Sequence, residues 1–312
     1  MTASYEPPEA TLDWFGCAPF RLRAAGLTIF LDAYIDRAAH AAGTGMTADQ
    51  IGECDWIIVG HSHFDHLWGA ERIMANTEAR LIGSYETVRV MEDAGVPADR
   101  MICVAGGETV DLGNGVLLDV YPSQHSCVWS HRQMSQPGDV CLGDLGVTWH
   151  EQQARMAELQ RFLATEMPPE AIIHLLSSRQ GHSPRGDGGA LVALLTTPEG
   201  SLLFKDTSGH WTGILGALRP DVAIVAAAGR GNIDGQPIQG SLAEFVAGEA
   251  ELLQPRRMLL CHHDDWLPGF SVATDLTPIR ASVSSRAPSV ELIEPGYLAA
   301  TKIFADLRPR LS

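Results

Sequence analysis

The six residues "HSHFDH", positions 61–66, stand directly behind the apolar run "DWIIVG". Three histidines and an aspartate packed so closely after a strand candidate restrict what the chain can build at that point. A solvated turn is the bland reading, because polar residues commonly follow strands. Neutral imidazole and carboxylate are also the ligands that borderline divalent cations prefer, so a metal site is the sharper reading. Side chains alternate along an extended segment, and His61 and His63, two residues apart, can therefore converge on one ion. Asp65 and His66 fall where "DHLWGAERIM" would begin a helix, within reach of a second ion close by.

A lone HxH pattern would carry little weight, but further ligand types stand at three more predicted strand ends. The segment "LLDVYPSQH" delivers His125, "SLLFKD" delivers Asp206, and "RRMLLCHH" delivers His262 or His263. Each alone reads as a turn former; their joint appearance downstream of HxHxDH points to a shared site. Together they supply seven ligands, enough for two metals that share Asp206 and each keep an open position. Open positions distinguish catalytic from structural sites.

The intervening segments alternate between strand and helix patterns. "FRLRAAGLTIFLDAY" reads as a hairpin across a glycine-centred turn, and "DWIIVG" as a strand covered on both faces. "LWGAERIMANT" and "SYETVRVMEDAG" read as helices, with "ARLIGS" a strand between them. "GETVDLGNGVLLDVYPSQH" reads as two strands joined at Gly-Asn-Gly. Residues 129–189 break this rhythm with a helix, "HEQQARMAELQRFLATEM", and a turn-rich loop, "SSRQGHSPRGDGG". They form an expected insertion that borders the site within a single domain spanning 1–312. "ALVALLTTPEGSLLF" is then a hairpin, "DVAIVAAAG" and "RRMLLC" are buried strands, and "SLAEFVAGEAELL" is a helix between them. The alternation predicts a layered α/β sandwich.

Composition removes several function classes. The 312 residues are 45% apolar with a net charge of −16, an ordinary globular balance that repels nucleic-acid phosphates. No run of about 18 uncharged apolar residues occurs, so no transmembrane segment is expected. The opening "MTASYEPPEATLDWFG" lacks a basic start followed by an apolar stretch, and the six cysteines form no CxxC pair. A cytoplasmic location with reduced, mostly buried thiols is the expectation. Cys127 and Cys261, each within two residues of a histidine, read as core packing rather than as ligands. "AAAGRGNIDG" fails as a dinucleotide fingerprint, because Asp234 stands where the third glycine is required.

HSHFDH, His125, Asp206 in "FKDTSG" and His262 in "CHHDDW" resemble the ordered ligand set of the metallo-β-lactamase-fold superfamily. The opening "FGCAPFRLRAAGLTIFLDAY" resembles its first hairpin and aspartate turn, and "PSQHS" resembles the ascorbate-6-phosphate lactonase-like and N-acylphosphatidylethanolamine phospholipase D-like members. The resemblance implies a four-layer αββα sandwich with metals at one edge. It assigns His61, His63 and His125 to one ion, Asp65, His66 and His262 to the other, and Asp206 as the bridge. His263 then becomes a substrate residue. Lys205 departs from the glycine usual before that aspartate, and strand alternation turns its ammonium away from the metals.

The implied chemistry is metal-assisted hydrolysis. Two divalent ions roughly 3.5–4 Å apart hold a bridging hydroxide that attacks an ester, lactone, amide or phosphodiester of a small molecule. Asp65 is the catalytic candidate, a ligand that also aims the nucleophile. Zinc is the first choice of metal, with manganese and iron as alternatives. His182, His263 and Trp68 are the candidate substrate contacts; His131 reads as a solvated loop residue, and Arg185 by default as a surface one. A mononuclear iron thiol dioxygenase on the same fold and a non-catalytic binding protein are the competing readings. A glutamate in the position of His63 would mark the diiron oxygen-reducing relatives, and it is absent. A homo-oligomer is compatible with the sequence.

Overall fold

The computed structural model describes residues 9–130, 136–179 and 185–307. Its first sheet contains β1 (Thr11–Trp14), β2 (Phe20–Ala24), β3 (Leu27–Leu31), β4 (Trp56–Ile58), β5 (Arg80–Gly83) and β6 (Met101–Cys103), ordered as in sequence. β1 to β3 are antiparallel, and β3 to β6 run parallel. The second sheet contains β7 (Thr109–Gly113), β8 (Val116–Pro122), β9 (Leu191–Thr197) and β10 (Gly200–Lys205). A short ribbon of β11 (Gly209–His210), β13 (Asn232–Ile233) and β14 (Gln236–Pro237) lies apart from both sheets. The second sheet is completed by β12 (Val222–Ala226), β15 (Arg257–Cys261) and β16 (Glu291–Ile293), in the order β16-β15-β12-β10-β9-β8-β7.

Eight helices occur among the described residues: α1 (Phe64–Leu67), α2 (Ala70–Asn76), α3 (Tyr85–Asp93), α4 (Trp149–Thr165), α5 (Pro169–Ser177), α6 (Thr212–Leu215), α7 (Leu242–Leu253) and α8 (Thr277–Arg286). Apolar side chains of the two sheets meet face to face, with Leu22, Ile29 and Ile58 against Leu118, Phe204 and Leu259 in one core. Ile57 and Leu81 on the outer face of the first sheet pack with Ile73 of α2 and Val90 of α3. Ala223 and Leu260 on the outer face of the second sheet pack with Val246 of α7 and Val283 of α8. The result is helix, sheet, sheet, helix: a four-layer αββα sandwich.

Turn chemistry sets the strand pairings. Ala25 and Gly26 adopt φ of +51° and +78° between β2 and β3, the left-handed pair that a tight hairpin demands. The Gly113-Asn114-Gly115 connection of β7 to β8 likewise has positive φ throughout. The parallel strands matter most for function, because their C-terminal ends fall at one edge. Leu31 pairs with Ile58, Lys205 with Val225, and Ala226 with Cys261, so Asp32, Asp206 and His262 all emerge from those ends.

Three helices escaped the sequence pattern: the single-turn α6, α8, and α5, which follows the expected α4 inside the 129–189 region. Its Pro169 occupies the first turn, where a missing N–H costs nothing. His174 on α5 is hydrogen-bonded to the Tyr34 hydroxyl at 2.7 Å, in an aromatic cluster with Trp68 and Trp266. Burial lowers the His174 pKa from 6.5 to about 4. The contact to Tyr34 is therefore made by a neutral imidazole, one of the interactions that dock α5, and the unfolded state takes up the proton first. Stability contributed by this contact is complete above pH 6.5 and is lost as pH falls towards 4. Amide protection in α5, corrected for the intrinsic exchange rate, should decline across that window and respond less to pH in His174→Gln; flat protection in the parent protein would contradict the assignment.

Candidate metal centre

HSHFDH begins three residues beyond β4, and the chain turns at Gly60 to bring it over the sheet edge. Gly60 is required there: a Cβ would sit 2.2 Å from Asp206 Oδ2. Its N–H donates to Asp32 Oδ1 at 3.0 Å, which ties the turn to the end of β3. Asp65 and His66 lie on the single turn of α1, so their side chains leave the backbone in a different direction from His61 and His63.

Two triads result. In the first, His61 Nε2 lies 3.1 Å from His63 Nδ1 and 3.2 Å from His125 Nε2. In the second, His66 Nε2 lies 3.2 Å from His262 Nε2 and 3.4 Å from Asp65 Oδ2. Nitrogen ligands 2.0–2.1 Å from a tetrahedral ion stand roughly 3.3 Å apart, so both spacings suit a metal between the atoms. Asp206 Oδ2 lies 2.7 Å from His61 Nδ1 and 3.1 Å from His66 Nδ1, joining the two groups from behind. Asp206 Oδ1 is buried with no hydrogen-bond partner among the described residues.

Tautomers follow from these contacts. A carboxylate only accepts, so His61 Nδ1 carries the hydrogen and its Nε2 is left with a free lone pair. The Asp32 carboxylate does the same for His66, with Oδ2 2.6 Å from Nδ1. Asp32 did not figure among the sequence candidates, although it is the aspartate of the "FLDAY" turn; only the fold shows what it faces. Lys205, one residue before Asp206, turns into the helix layer and pairs with Glu249 at 2.9 Å, with both side chains fully buried.

Electrostatics prepare the histidines to ligate. Burial, then the neighbouring imidazoles His125 and His61, hold His63 well below 6.5. Burial and His61 bring His125 down to about 4, and burial and His66 bring His262 down to about 3. Burial would also depress His66, but the carboxylates of Asp65, Asp32 and Asp206 outweigh it and raise its pKa. Burial alone would raise Asp65, yet His66, His262 and His63 hold it far below the usual range. Three carboxylates thus meet in a desolvated pocket, an arrangement that a bound cation would neutralise. The orphaned Asp206 oxygen and the neutral imidazoles of His63, His125 and His262 fit a divalent metal.

The triads open on a cleft of about 400 Å³. Met156, Leu159 and Leu163 of α4, Leu175 of α5, and Trp266 and Phe270 form apolar wall, while Arg185 and Gly229–Arg230 add polar groups. The glycine-containing loop after β12 thus reaches the metal edge. Arg185, expected at the surface, lines the cleft instead, and burial lowers its pKa. Trp68 does not line the cleft; it packs behind it, 6.2 Å from Tyr34 between ring centres. His263 is also turned away, stacked on Trp14 at 4.5 Å. His182 and His131 lie outside the described residues. Cys127 and Cys261 are buried among core side chains, and no disulfide joins any of the six cysteines. No helix among the described residues is long and apolar enough to cross a membrane.

Asp32→Asn should weaken metal binding roughly 10–100-fold, because the amide cannot hold His66 in the ligating tautomer. Titration calorimetry with zinc measures this directly, and unchanged affinity would remove Asp32 from the site.

Comparison with known proteins yields no matching family model. Among curated proteins, a UPF0173 metal-dependent hydrolase of Pyrobaculum calidifontis is 29% identical over 115 residues, which is 37% of this chain and 50% of the relative. The chain spans about half the length of the first curated relatives it matches. Among solved structures, the metallo hydrolase Igni18 of Ignicoccus hospitalis superposes with a TM-score of 0.58 at 16% identity, covering 93% of this chain and 97% of that one. An isothiocyanate hydrolase from Delia radicum gut bacteria gives 0.54 at 12% identity, with 92% and 96% covered. The metallo-β-lactamase fold protein YhfI of Bacillus subtilis gives 0.52 at 10% identity, with 93% and 98% covered. The chain has the metallo-β-lactamase fold, with UPF0173 metal-dependent hydrolases among its homologues.

Proposed function

We propose that the protein is a dinuclear metal-dependent hydrolase acting on an ester, lactone, amide or phosphodiester of a small molecule. The observation that carries this reading is the pair of triads, each with ligand spacing and each facing the same cleft. His61, His63 and His125 hold one ion, and Asp65, His66 and His262 hold the other. Asp206, whose Oδ1 has no hydrogen-bond partner among the described residues, would be the ligand shared between them. Zinc suits this nitrogen and oxygen set best, with manganese and iron as alternatives. Bound there, the ions supply an activated water near neutral pH and a Lewis acid for the substrate oxygen.

The protein's own groups do the rest. The second Asp65 oxygen accepts a hydrogen bond from the attacking water and aims it at the substrate. Asp32 and Asp206 keep the imidazoles from rotating, which holds the attacking geometry without reorganisation. The apolar walls from α4 and α5 exclude bulk water and receive the apolar part of the substrate, while Arg185 faces its polar end. On this reading residues 129–189 are an insertion of a single domain that supplies substrate specificity.

His63→Ala should lose about one equivalent of bound metal and at least 100-fold in turnover, an effect typical of losing a principal electrostatic or activating group. A panel of lactones, phosphodiesters and N-acyl amides, assayed with protein of measured metal content, provides the test. A metal-free preparation that hydrolyses as fast as the reconstituted one would overturn the proposal.

A further inference from the structure

The second triad has a neighbour that neither the ligand pattern nor the proposed mechanism uses. Cys17, in the turn between β1 and β2, is fully buried, and its Sγ lies 3.4 Å from His262 Nδ1 and 3.8 Å from Nε2. The thiol sulfur, an Asp65 carboxylate oxygen and a His262 ring nitrogen all fall within 4.8 Å of one another. A thiolate at about 2.3 Å and an imidazole nitrogen at 2.0–2.1 Å from a tetrahedral ion stand roughly 3.6 Å apart. The separation from Nε2, the nitrogen that faces His66, is 3.8 Å and lies close to that value.

The backbone holds the sulfur there against its own preference. Cys17 has φ of +50° and His262 has φ of +62°, a conformation that side-chain-bearing residues seldom adopt. The Cys17 N–H donates to both oxygens of Asp264, at 2.9 and 3.1 Å, and its carbonyl accepts from the His262 N–H at 2.9 Å. The Tyr297 hydroxyl donates to the same Asp264 carboxylate at 2.9 Å. The two strained residues are therefore locked to each other through the main chain. An independent sign of a missing ligand lies beside them: Asp206 is 0% exposed, lines the cleft with Asp65, His66 and His262, and leaves Oδ1 without a partner among the described residues.

We propose that Cys17 is a thiolate ligand of the ion held by Asp65, His66 and His262. This inference rests on the dinuclear reading above and deepens it. On metal binding the S–H bond breaks, the sulfur forms the metal bond, and the proton leaves to solvent. The two positions then differ in kind. The one with Cys17 has a soft ligand and a filled protein shell, which favours zinc or cadmium over manganese or magnesium. The three-histidine position keeps its open coordination and takes the substrate oxygen.

Cobalt replacement of the metals in the full-length protein tests this by spectroscopy, independent of turnover. Binding of two cobalt equivalents with a near-ultraviolet sulfur-to-cobalt charge-transfer band, lost in Cys17→Ser while the visible d–d bands of the other ion persist, is the expected result. Two equivalents without that band would overturn the role of Cys17 and leave the dinuclear reading standing. No cobalt binding at all would overturn both. Zinc-edge X-ray absorption of the unsubstituted protein decides the matter even if Cys17→Ser fails to fold. One sulfur neighbour per two zinc ions supports the assignment, and nitrogen and oxygen neighbours alone refute it.

Discussion

The carboxylate of Asp206, pressed against the Nδ1 edges of His61 and His66, sets where the other groups at the rim can stand. Its oxygen fills the space that any side chain at position 60 would occupy, and the chain therefore turns there on glycine. Asp32 meets the same His66 Nδ1 and also receives the Gly60 N–H. Two buried carboxylates thus fix the rotation and tautomer of two imidazoles, and the remaining ligands approach those imidazoles from neighbouring strand ends. Buried charges of one sign are costly unless neutralised, so histidines surround the cluster and a bound cation would offset the remainder.

Much of this arrangement was legible in the sequence because it is local. HxHxDH places four candidate ligands within six residues, and the strand runs before His125, Asp206 and His262 are short and largely apolar. The hairpin strands follow from period-two patterning and from glycine or asparagine at left-handed turn positions, and β4, β12 and β15 from short continuous apolar runs, whereas β1, β6 and β16 were not among the expected strands. What the sequence could not reveal depends on which strand lies beside which. Asp32 and Cys17 reach the site only because the first hairpin folds over the same edge as β4 and β15. Neither carries a spacing signal, since each partner is distant in the chain.

The substrate candidates illustrate the opposite error. Trp68 and His263 lie one or two residues from ligands, and proximity in sequence suggested a place in the cleft. Helix α1 ends between His66 and Trp68 and turns the indole towards Tyr34 and His174. His263 follows a residue with positive φ, which swings its ring onto Trp14. Lys205, by contrast, behaves as strand alternation predicts: with Asp206 facing the site, its ammonium lies in the opposite layer against Glu249. Much of the cleft wall comes from α4 and α5, where Leu163 and Leu175 line the cleft and also pack against a small core that includes Tyr34 and Trp266.

Anomalous X-ray diffraction from crystals grown with zinc, recorded on both sides of the zinc edge, is the most direct test of the central claim. Two peaks per chain about 3.5–4 Å apart are expected, the spacing of paired catalytic metals. One should lie among His61, His63 and His125, and its neighbour among Asp65, His66 and His262. A single peak elsewhere, or none at this rim in metal-replete protein, would contradict it.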